Sequence, residues 1–431
     1  MAIISVPQEP EDYRTVYNPI EYVAESDAIA EDRFKYLFDV YDGATQIARL
    51  KVPASPNVYG RADIHGICES YLKTDLGIIN ITATADAFTD NPNSYKEFTV
   101  KIGEEYNNIS GVLTQHPDQE IRTVIVFNGC LPNYRGNTVN FYDWQTNNYY
   151  LKYIEDASTR EWLTNAPLGS GANKPDNQAV QLTDEGWTYF LYSATYPQIT
   201  RFDLTTYDAS GSVTGINQIN NTVASLTNKY MLKIATSPNS INNIDYNQIV
   251  GGTPATQPLI ASTDTSYKIT LVDNTPATVS KELYFNIDTE CRYETRRIEF
   301  LNSLGGFDCF NFTKVSRRSE EIERKFYKQN PDNLDSATGT ITYSQANRQK
   351  VQYYTKSKPK MKLTSDWVDV ATFNWLLEML ESPEIYLYEN GERITVQNVE
   401  GNWEEKRSDT DSVFNLEVNL EFGVDNYRQR F

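Results

Sequence analysis

Apolar and polar residues alternate along much of the chain, and this pattern predicts strands rather than helices. Residues 34–40 place aromatic and aliphatic side chains at every second position, so these side chains share one face of a strand. Asp42-Gly43 then favours a tight turn into a returning strand at residues 45–52. Residues 413–422 alternate in the same way near the carboxyl end.

A second pattern centres on residues 296–327, where two apolar runs flank Asn302-Ser303-Leu304-Gly305-Gly306. Apolar runs on both sides of a Gly-Gly connection predict a β-hairpin, which continues into strongly charged arms. Such a hairpin either docks onto a neighbouring chain by edge pairing or is an ordinary solvated ribbon. The first interpretation assigns interface roles to Leu301, Gly305, Gly306, Phe307, Arg317, Arg318, Arg324 and Lys325.

The clearest helical periodicity follows Thr364 and Ser365, either of which is a suitable N-cap. Asp366 would lie in the first turn, and Ser382-Pro383 would end the helix. Residues 384–399 are then predicted to form a hairpin around Asn390-Gly391, the strongest two-residue turn signal in the chain. We predict a mainly β, multidomain protein of sandwich or barrel domains with a few short helices. The expected domains are a β-rich one at 1–145, a sandwich-like one at 146–285, and a split-barrel-like one with one amphipathic helix at 286–431.

The charge distribution is uneven. The chain carries 39 Lys+Arg and 58 Asp+Glu, a net charge of −19, which opposes non-specific binding to nucleic acid or anionic lipid. Residues 291–362 contain 15 Lys+Arg and 8 Asp+Glu, so they carry +7 and the rest of the chain −26. A basic segment in an acidic chain either packs on an acidic surface or is a basic solvated face.

Targeting signals and a disulfide framework are not expected. The amino terminus lacks the basic and apolar regions of a signal peptide, and no apolar run is long enough for a membrane-spanning helix. The four cysteines are scattered, which favours free thiols in a reducing compartment.

No motif points to catalysis. The two histidines, His65 and His116, favour structural roles, and nucleotide-binding or hydrolase motifs are missing. We therefore expect no catalytic residue, no metal and no cofactor. An aromatic group provides either anchors for a ligand or partner, or interdomain core; it comprises Tyr142, Trp144, Tyr149, Tyr150 and Tyr153.

Three stretches together resemble virion proteins of tailed bacteriophages that infect Bacteroidota, including the crAss-like group. The first stretch comprises residues 16–26, 34–43 and 48–72, the second residues 291–312 and 316–327, and the third residues 365–401 with 414–422. The resemblance leaves about 147–280 unmatched. It implies a structural component of the tail, neck or baseplate, made in the host cytoplasm and incorporated into the virion. It transfers no catalytic residues, and the helix-plus-strands ending is similar to tail-tube-type split barrels.

The expected function is therefore assembly into an oligomeric ring or complex with copies of itself and with other tail or neck proteins. No direct nucleic-acid partner and no membrane span are expected. The alternative is a receptor- or glycan-binding β-sandwich that uses the loops and aromatic residues of the middle domain.

Overall fold

The computed structural model describes residues 4–10, 12–77, 85–131, 151–155, 160–193, 198–223, 230–250, 258–290, 292–330, 332–343, 349–399 and 413–427. Strands account for 52% of it and helices for 8%, which confirms the mainly β, multi-sheet prediction. The chain divides into two compact units, where three domains were predicted. Unit 1 comprises Met1–Thr289 and Leu301–Asp308, and unit 2 comprises Glu290–Phe300 and Cys309–Phe431.

The first part of unit 1 contains two sheets, of order β1-β3-β6 and β2-β9-β8-β4-β5. Its elements are β1 (Ile4–Gln8), β2 (Tyr13–Thr15), β3 (Glu21–Ser26), β4 (Lys35–Asp42), β5 (Thr45–Val52), β6 (Gly60–Asp63), α1 (His65–Glu69), β7 (Phe88–Asp90), β8 (Tyr95–Asn107) and β9 (Leu113–Phe127). The sheets enclose one apolar core. The ring of Tyr36 lies directly against the backbone of Gly60, which leaves no room for a side chain there.

The second part of unit 1 also contains two sheets, of order β10-β16-β15-β12-β13 and β11-β14-β7. Its elements are β10 (Gln178–Val180), β11 (Trp187–Leu191), β12 (Arg201–Tyr207), β13 (Val213–Asn220), β14 (Met231–Ala235), α2 (Pro238–Asn242), β15 (Ser266–Val272) and β16 (Leu283–Ile287), with a π-helical turn at Leu151–Glu155 and a 3-10 turn at Tyr246–Gln248. Phe88 of one sheet contacts Phe202 of the other at 5.5 Å between ring centroids. Because β7 comes from the first 145 residues and pairs with β14, the predicted boundary near 145 does not separate two units.

Unit 2 is built on one sheet of order β18-β17-β23-β24-β25-β22-β19, with β26 also paired to β22. Its elements are β17 (Arg296–Leu301), β18 (Phe307–Phe312), β19 (Arg317–Lys328), β20 (Asp332–Leu334), β21 (Ile341–Tyr343), β22 (Lys350–Asp369), α3 (Val370–Glu381), β23 (Ile385–Glu389), β24 (Glu392–Asn398), β25 (Val413–Phe422) and β26 (Asn426–Tyr427). The indole of Trp375 on α3 lies 5.7 Å from the Phe300 ring and 5.9 Å from the Phe310 ring. One helix therefore covers part of the apolar face of this sheet.

The helix in unit 2 begins later than the sequence predicts. Residues 364–369 continue the strand β22, and α3 begins at Val370 with Asp369 as its N-cap, whose carboxylate accepts a hydrogen bond from Thr372 N at 2.8 Å. Neither Thr364 nor Ser365 caps it, because β22 pairs with β25 as far as Asp369. The predicted end at Ser382 is correct.

Three of the cysteines are free thiols, as predicted: Cys68 is buried, Cys130 is exposed and Cys309 is intermediate. Cys291 lies outside the described residues. Burial raises the pKa of the Cys68 thiol to about 12, so this thiol stays protonated at neutral pH.

Candidate assembly surface

The longest fully exposed strand of unit 2 is β19, which pairs with β22. The other edge of β22 is joined to β26 at Lys356 and Ser357 and to β25 from Lys360 onward, so the pair is a two-stranded ribbon only beyond that point. We call residues 317–362 the basic arm. Twelve register pairs join its strands, from Arg317↔Lys362 to Lys328↔Lys350, which spans about 37 Å at ~3.4 Å per residue. All twelve residues of β19 are exposed. β19 is also the end of its sheet within the described part of the chain, so one of its edges faces no strand there.

Carboxylates of unit 2 neutralise the base of the arm. Four lysines at every second position of β22 each pair with an acid: Lys356 with Asp425, Lys358 with Glu421 at 3.3 Å, Lys360 with Glu321 at 2.6 Å, and Lys362 with Glu417 at 2.7 Å. The hydrogen bond between Lys360 and Glu321 raises the pKa of the lysine and lowers that of the glutamate. The net positive charge of the arm therefore resides farther out.

The middle of the arm combines cations with exposed aromatic rings. Lys350 Nζ lies 4.3 Å from the centroid of the Phe326 ring, and Lys325 Nζ lies 4.9 Å from that of Tyr354. The rings of Tyr327 and Tyr353 are 6.1 Å apart and both are exposed. Such amphipathic groups favour protein interfaces, where rings supply contact area and cations supply steering.

The arm ends in the small hairpin formed by β20 and β21. Leu334, Ile341 and Tyr343 are 69%, 66% and 69% exposed, so this end presents an apolar surface to solvent. The turn is held by Asp335, whose backbone N–H donates to Thr340 O at 2.9 Å and whose carboxylate accepts from the Thr338 hydroxyl at 2.8 Å. The sequence analysis did not identify this surface, although a run of β-branched and aromatic residues after a Gly-containing turn, here Ile341-Thr342-Tyr343, is a strand signal.

The four predicted interface cations differ in their surroundings. Arg318 donates to Glu389, which also accepts from Arg296 at 2.8 Å. Lys325 lies 3.5 Å from Glu323. Arg317 and Arg324 make no ion pair with any residue that the structure describes, and both are exposed. Arg324 and Lys325, with Lys328, lie in the outer half of β19, beyond the lysines that the carboxylates neutralise, and are the cations that the proposal assigns to a partner.

The hairpin tip that the sequence predicts as a docking element belongs to unit 1 and not to the arm. The four residues at the tip lie in unit 1: Leu301, Gly305, Gly306 and Phe307. Leu301 is half-buried, and the other three are buried. Asn302 fixes the loop by donating from Nδ2 to Leu163 O at 2.9 Å and by accepting from Leu304 N and Gly306 N at 3.0 Å.

Close packing covers this loop with the chain's own residues. A Cβ added at Gly305 would lie 1.4 Å from Asn128 O, and one added at Gly306 would lie 2.8 Å from the Tyr189 ring. Thr164 donates to Asp308 at 2.8 Å. The expectation that this tip pairs with another chain is therefore corrected: the loop completes the fold of its own chain.

The predicted aromatic anchors Tyr142, Trp144, Tyr149 and Tyr150 lie outside the described residues. Tyr153, from the same group, is buried. Among the described residues from 160 to 287, the exposed large hydrophobic side chains are aliphatic: Val213, Ile216 and Val250.

Each of the two histidines contacts another residue of unit 1. His65 Nδ1 lies 2.8 Å from Asp63 in an exposed position, and the His116 ring lies 5.6 Å from that of Tyr106. The described part of the chain contains no group of three His, Cys, Asp or Glu side chains able to hold a metal ion.

No helix within the described ranges is both long and apolar enough to cross a membrane. No protein-family model matches the chain, and no curated protein matches it.

Proposed function

We propose that this chain is a structural subunit of a bacteriophage tail, neck or baseplate that holds neighbouring subunits through its basic arm. The observation that carries the proposal is the complete exposure of β19 along a twelve-pair ribbon. Beyond its pairing with β26 the ribbon is two-stranded, which is marginally stable in water by itself, and the open edge of β19 invites pairing with another chain. The resemblance of the three stretches defined above, which end with residues 365–401 and 414–422, to virion proteins supports the phage context.

The apolar end of the arm gives the proposal an energetic scale. Complete burial of Leu334, Ile341 and Tyr343 contributes about 1.5–3 kcal/mol each, or roughly 5–9 kcal/mol together. Association costs an estimated ~4–15 kcal/mol in lost freedom of motion. Apolar burial alone therefore only balances that cost, so stable assembly also requires the charges and the backbone edge of the arm.

The test shortens the arm in the full chain. Because Lys328 and Lys350 are paired, an Asn-Gly turn that replaces residues 329–349 closes the ribbon and removes its apolar end. Light scattering after size exclusion, with negative-stain imaging of the same peak, measures the assembly state. We expect the wild-type chain to form a discrete oligomer and the shortened chain to be monomeric.

A charge-reversal variant tests whether the cations of the arm contribute to assembly, and a control variant tests whether the effect is specific to the arm. Arg324→Glu with Lys325→Glu keeps the arm and reverses two of its outer cations, and should weaken assembly most at low salt. Ile216→Ser, on exposed β13, is the matched control and should assemble as wild type. A shortened chain that retains the wild-type mass would refute the arm as the assembling element.

The receptor- or glycan-binding alternative has no specific observation in its favour. The described aromatic residues of the middle region mostly belong to its core, as Trp162, Tyr189 and Tyr267 do. The described residues from 160 to 287 therefore present no exposed aromatic ring on which a sugar could stack.

A further inference from the structure

A second exposed apolar surface lies at the tip of the β8–β9 hairpin in unit 1. Ile109, Val112 and Leu113 are 107%, 59% and 45% exposed. We call these three residues the aliphatic tip. Ile109 is fully exposed and the other two side chains are about half exposed. Exposed aliphatic surface is costly to hydrate, so the fold alone does not explain these three residues.

The turn itself does not require these side chains. The Asn108 carboxamide oxygen accepts from Ser110 N at 2.9 Å and from Val112 N at 3.0 Å. Asn108 N also donates to Val112 O, and Gly111 N to Asn108 O, both at 2.8 Å. These bonds hold the loop through polar groups and through the left-handed Gly111, whose φ is +71°.

Another hairpin of the same chain has the same turn without large aliphatic residues in the loop. In the β12–β13 connection, Asp208 accepts from Ser210 N at 2.8 Å and Ser212 N at 2.9 Å, and Gly211 has a φ of +79°. The two loops are Asn-Ile-Ser-Gly-Val and Asp-Ala-Ser-Gly-Ser. The same geometry thus forms with alanine and serine where the β8–β9 loop carries Ile109 and Val112.

An acidic loop lies beside the aliphatic tip. Asn107 N donates to Asp32 O at 2.8 Å, which joins the end of β8 to the β3–β4 connection. That connection and its flanks, residues 25–35, contain four carboxylates and two cations, all exposed: Glu25, Asp27, Glu31 and Asp32, with Arg33 and Lys35. Burial, with the negative charges of Glu104, Glu31 and Asp27, raises the pKa of Tyr106 at the same end of the sheet.

We infer that the aliphatic tip and its acidic flank are the surface on which the basic arm of a second copy of this chain docks. The inference rests on the proposed function and names the partner. The arm contains 11 Lys+Arg and 5 Asp+Glu, so it carries +6, and the remainder of the chain carries −19 − 6 = −25. Both surfaces expose apolar side chains, and the arm and the tip region carry charges of opposite sign. Contact between an arm and a tip is therefore favoured over contact between two arms or between two tips.

The two surfaces are different, so the contact is heterologous. Each copy presents one arm and one tip, and a head-to-tail contact of this kind closes into a ring or continues as a filament. The surfaces are therefore separable by mutation, because a copy without its tip still has an arm to offer.

The experiment uses complementation between two full-length variants. The tip variant, Ile109→Ala with Val112→Ser, copies the Asp208 turn and so preserves the hairpin. The arm variant replaces residues 329–349 with Asn-Gly. We expect each variant alone to be monomeric by light scattering, and their mixture to give a species of two chains, because only one intact arm–tip contact is possible per pair.

Charge exchange gives an independent readout. Asp27→Lys with Glu31→Lys should abolish assembly, and so should Arg324→Glu with Lys325→Glu. The chain that carries all four substitutions should regain it. Circular dichroism and thermal unfolding of each variant check that the fold is intact.

The outcomes distinguish this inference from the proposed function. If the tip variant assembles as wild type while the arm variant does not, the arm functions but its site is elsewhere, and the inference fails alone. If both variants assemble as wild type, both proposals fail. Two monomeric variants that remain monomeric when mixed, or an arm that binds a short DNA duplex without self-assembly, would also overturn the arm–tip contact.

Discussion

Arg393 Nε lies 2.5 Å from Glu299 Oε2, and the two side chains are only 9% and 3% exposed. The Tyr388 hydroxyl donates to the same carboxylate oxygen at 3.0 Å. Burial and the negative charge of Glu299 raise the pKa of Tyr388, which therefore remains a donor at any ordinary pH. The pair connects β17 to β24 across β23 in the centre of the unit 2 sheet.

Breaking this ion pair should destabilise unit 2 strongly. Arg393→Met leaves the Glu299 carboxylate buried without its cation, and we expect a loss of about 3–5 kcal/mol. Urea unfolding measures the change. Lys362→Met, which removes a partly exposed pair with Glu417, is the matched control and should cost about 0–1 kcal/mol. Equal losses for the two variants would show that burial does not decide the effect.

Gly305→Ala should destabilise unit 1. The residue has a φ of +85° and its added Cβ would overlap Asn128 O. We expect about 1–2 kcal/mol for the left-handed conformation and about 1–3 kcal/mol more for the overlap. Gly43→Ala isolates the first cost, because Gly43 has a φ of +56° with no atom within 4 Å of the new Cβ. Thermal unfolding of the two variants should therefore differ clearly.

Acid should weaken the Asp208 turn selectively. Hydrogen bonds from the Ser210 hydroxyl and from backbone N–H groups lower the pKa of Asp208 below its usual value. A lowered folded-state pKa contributes stability that is complete above the unfolded value of ~3.9 and is lost as the pH falls through the folded value.

The measurement compares wild type with Asp208→Asn across this range. Asparagine keeps the turn, as Asn108 does in the β8–β9 hairpin, but does not titrate. The difference in unfolding free energy between the two chains should be constant above about pH 5 and should decrease below pH ~4. A difference that does not change with pH would contradict the assignment.

Asp369→Ala should shorten or destabilise α3, because Asp369 is the N-cap observed in the structure. We expect a loss of about 0.5–2 kcal/mol in denaturant unfolding. Asp366→Ala removes the ion pair with Lys314 at 2.7 Å and should cost less, about 0–1 kcal/mol. The reverse order would favour the helix start that the sequence predicts.

Turn chemistry explains what the sequence predicted well. Asn390-Gly391 closes the β23–β24 hairpin as expected. The β4–β5 hairpin turns at Gly43-Ala44, one residue later than the predicted Asp42-Gly43, since Asp42 still pairs with Thr45. These signals are local: the residues that form the turn also determine which strands are paired. The alternation in residues 413–422 likewise sufficed to predict β25.

The sequence predictions were wrong where contacts between residues far apart in the sequence determine the local structure. Thr364, Ser365 and Asp366 have the composition of a helix start, yet pairing of β22 with β25 keeps them extended. The Leu301–Phe307 loop is apolar enough for either an interface or a core, and only its contacts with Asn128 and Leu163 distinguish the two. The exposed ends of β8–β9 and of the arm were missed because exposure is a property of the assembled fold.

Residues 301–308 belong to unit 1 but are encoded after the first eleven residues of unit 2. During synthesis unit 1 therefore cannot complete its fold until residues 301–308 have been added. A nascent chain that ends at 289 lacks the loop that packs on Asn128 and Leu163. A fragment cut at 289 is for the same reason a poor stand-in for unit 1. Unit 1 is therefore complete only after the ribosome has synthesised the first segment of unit 2 and residues 301–308 that follow it.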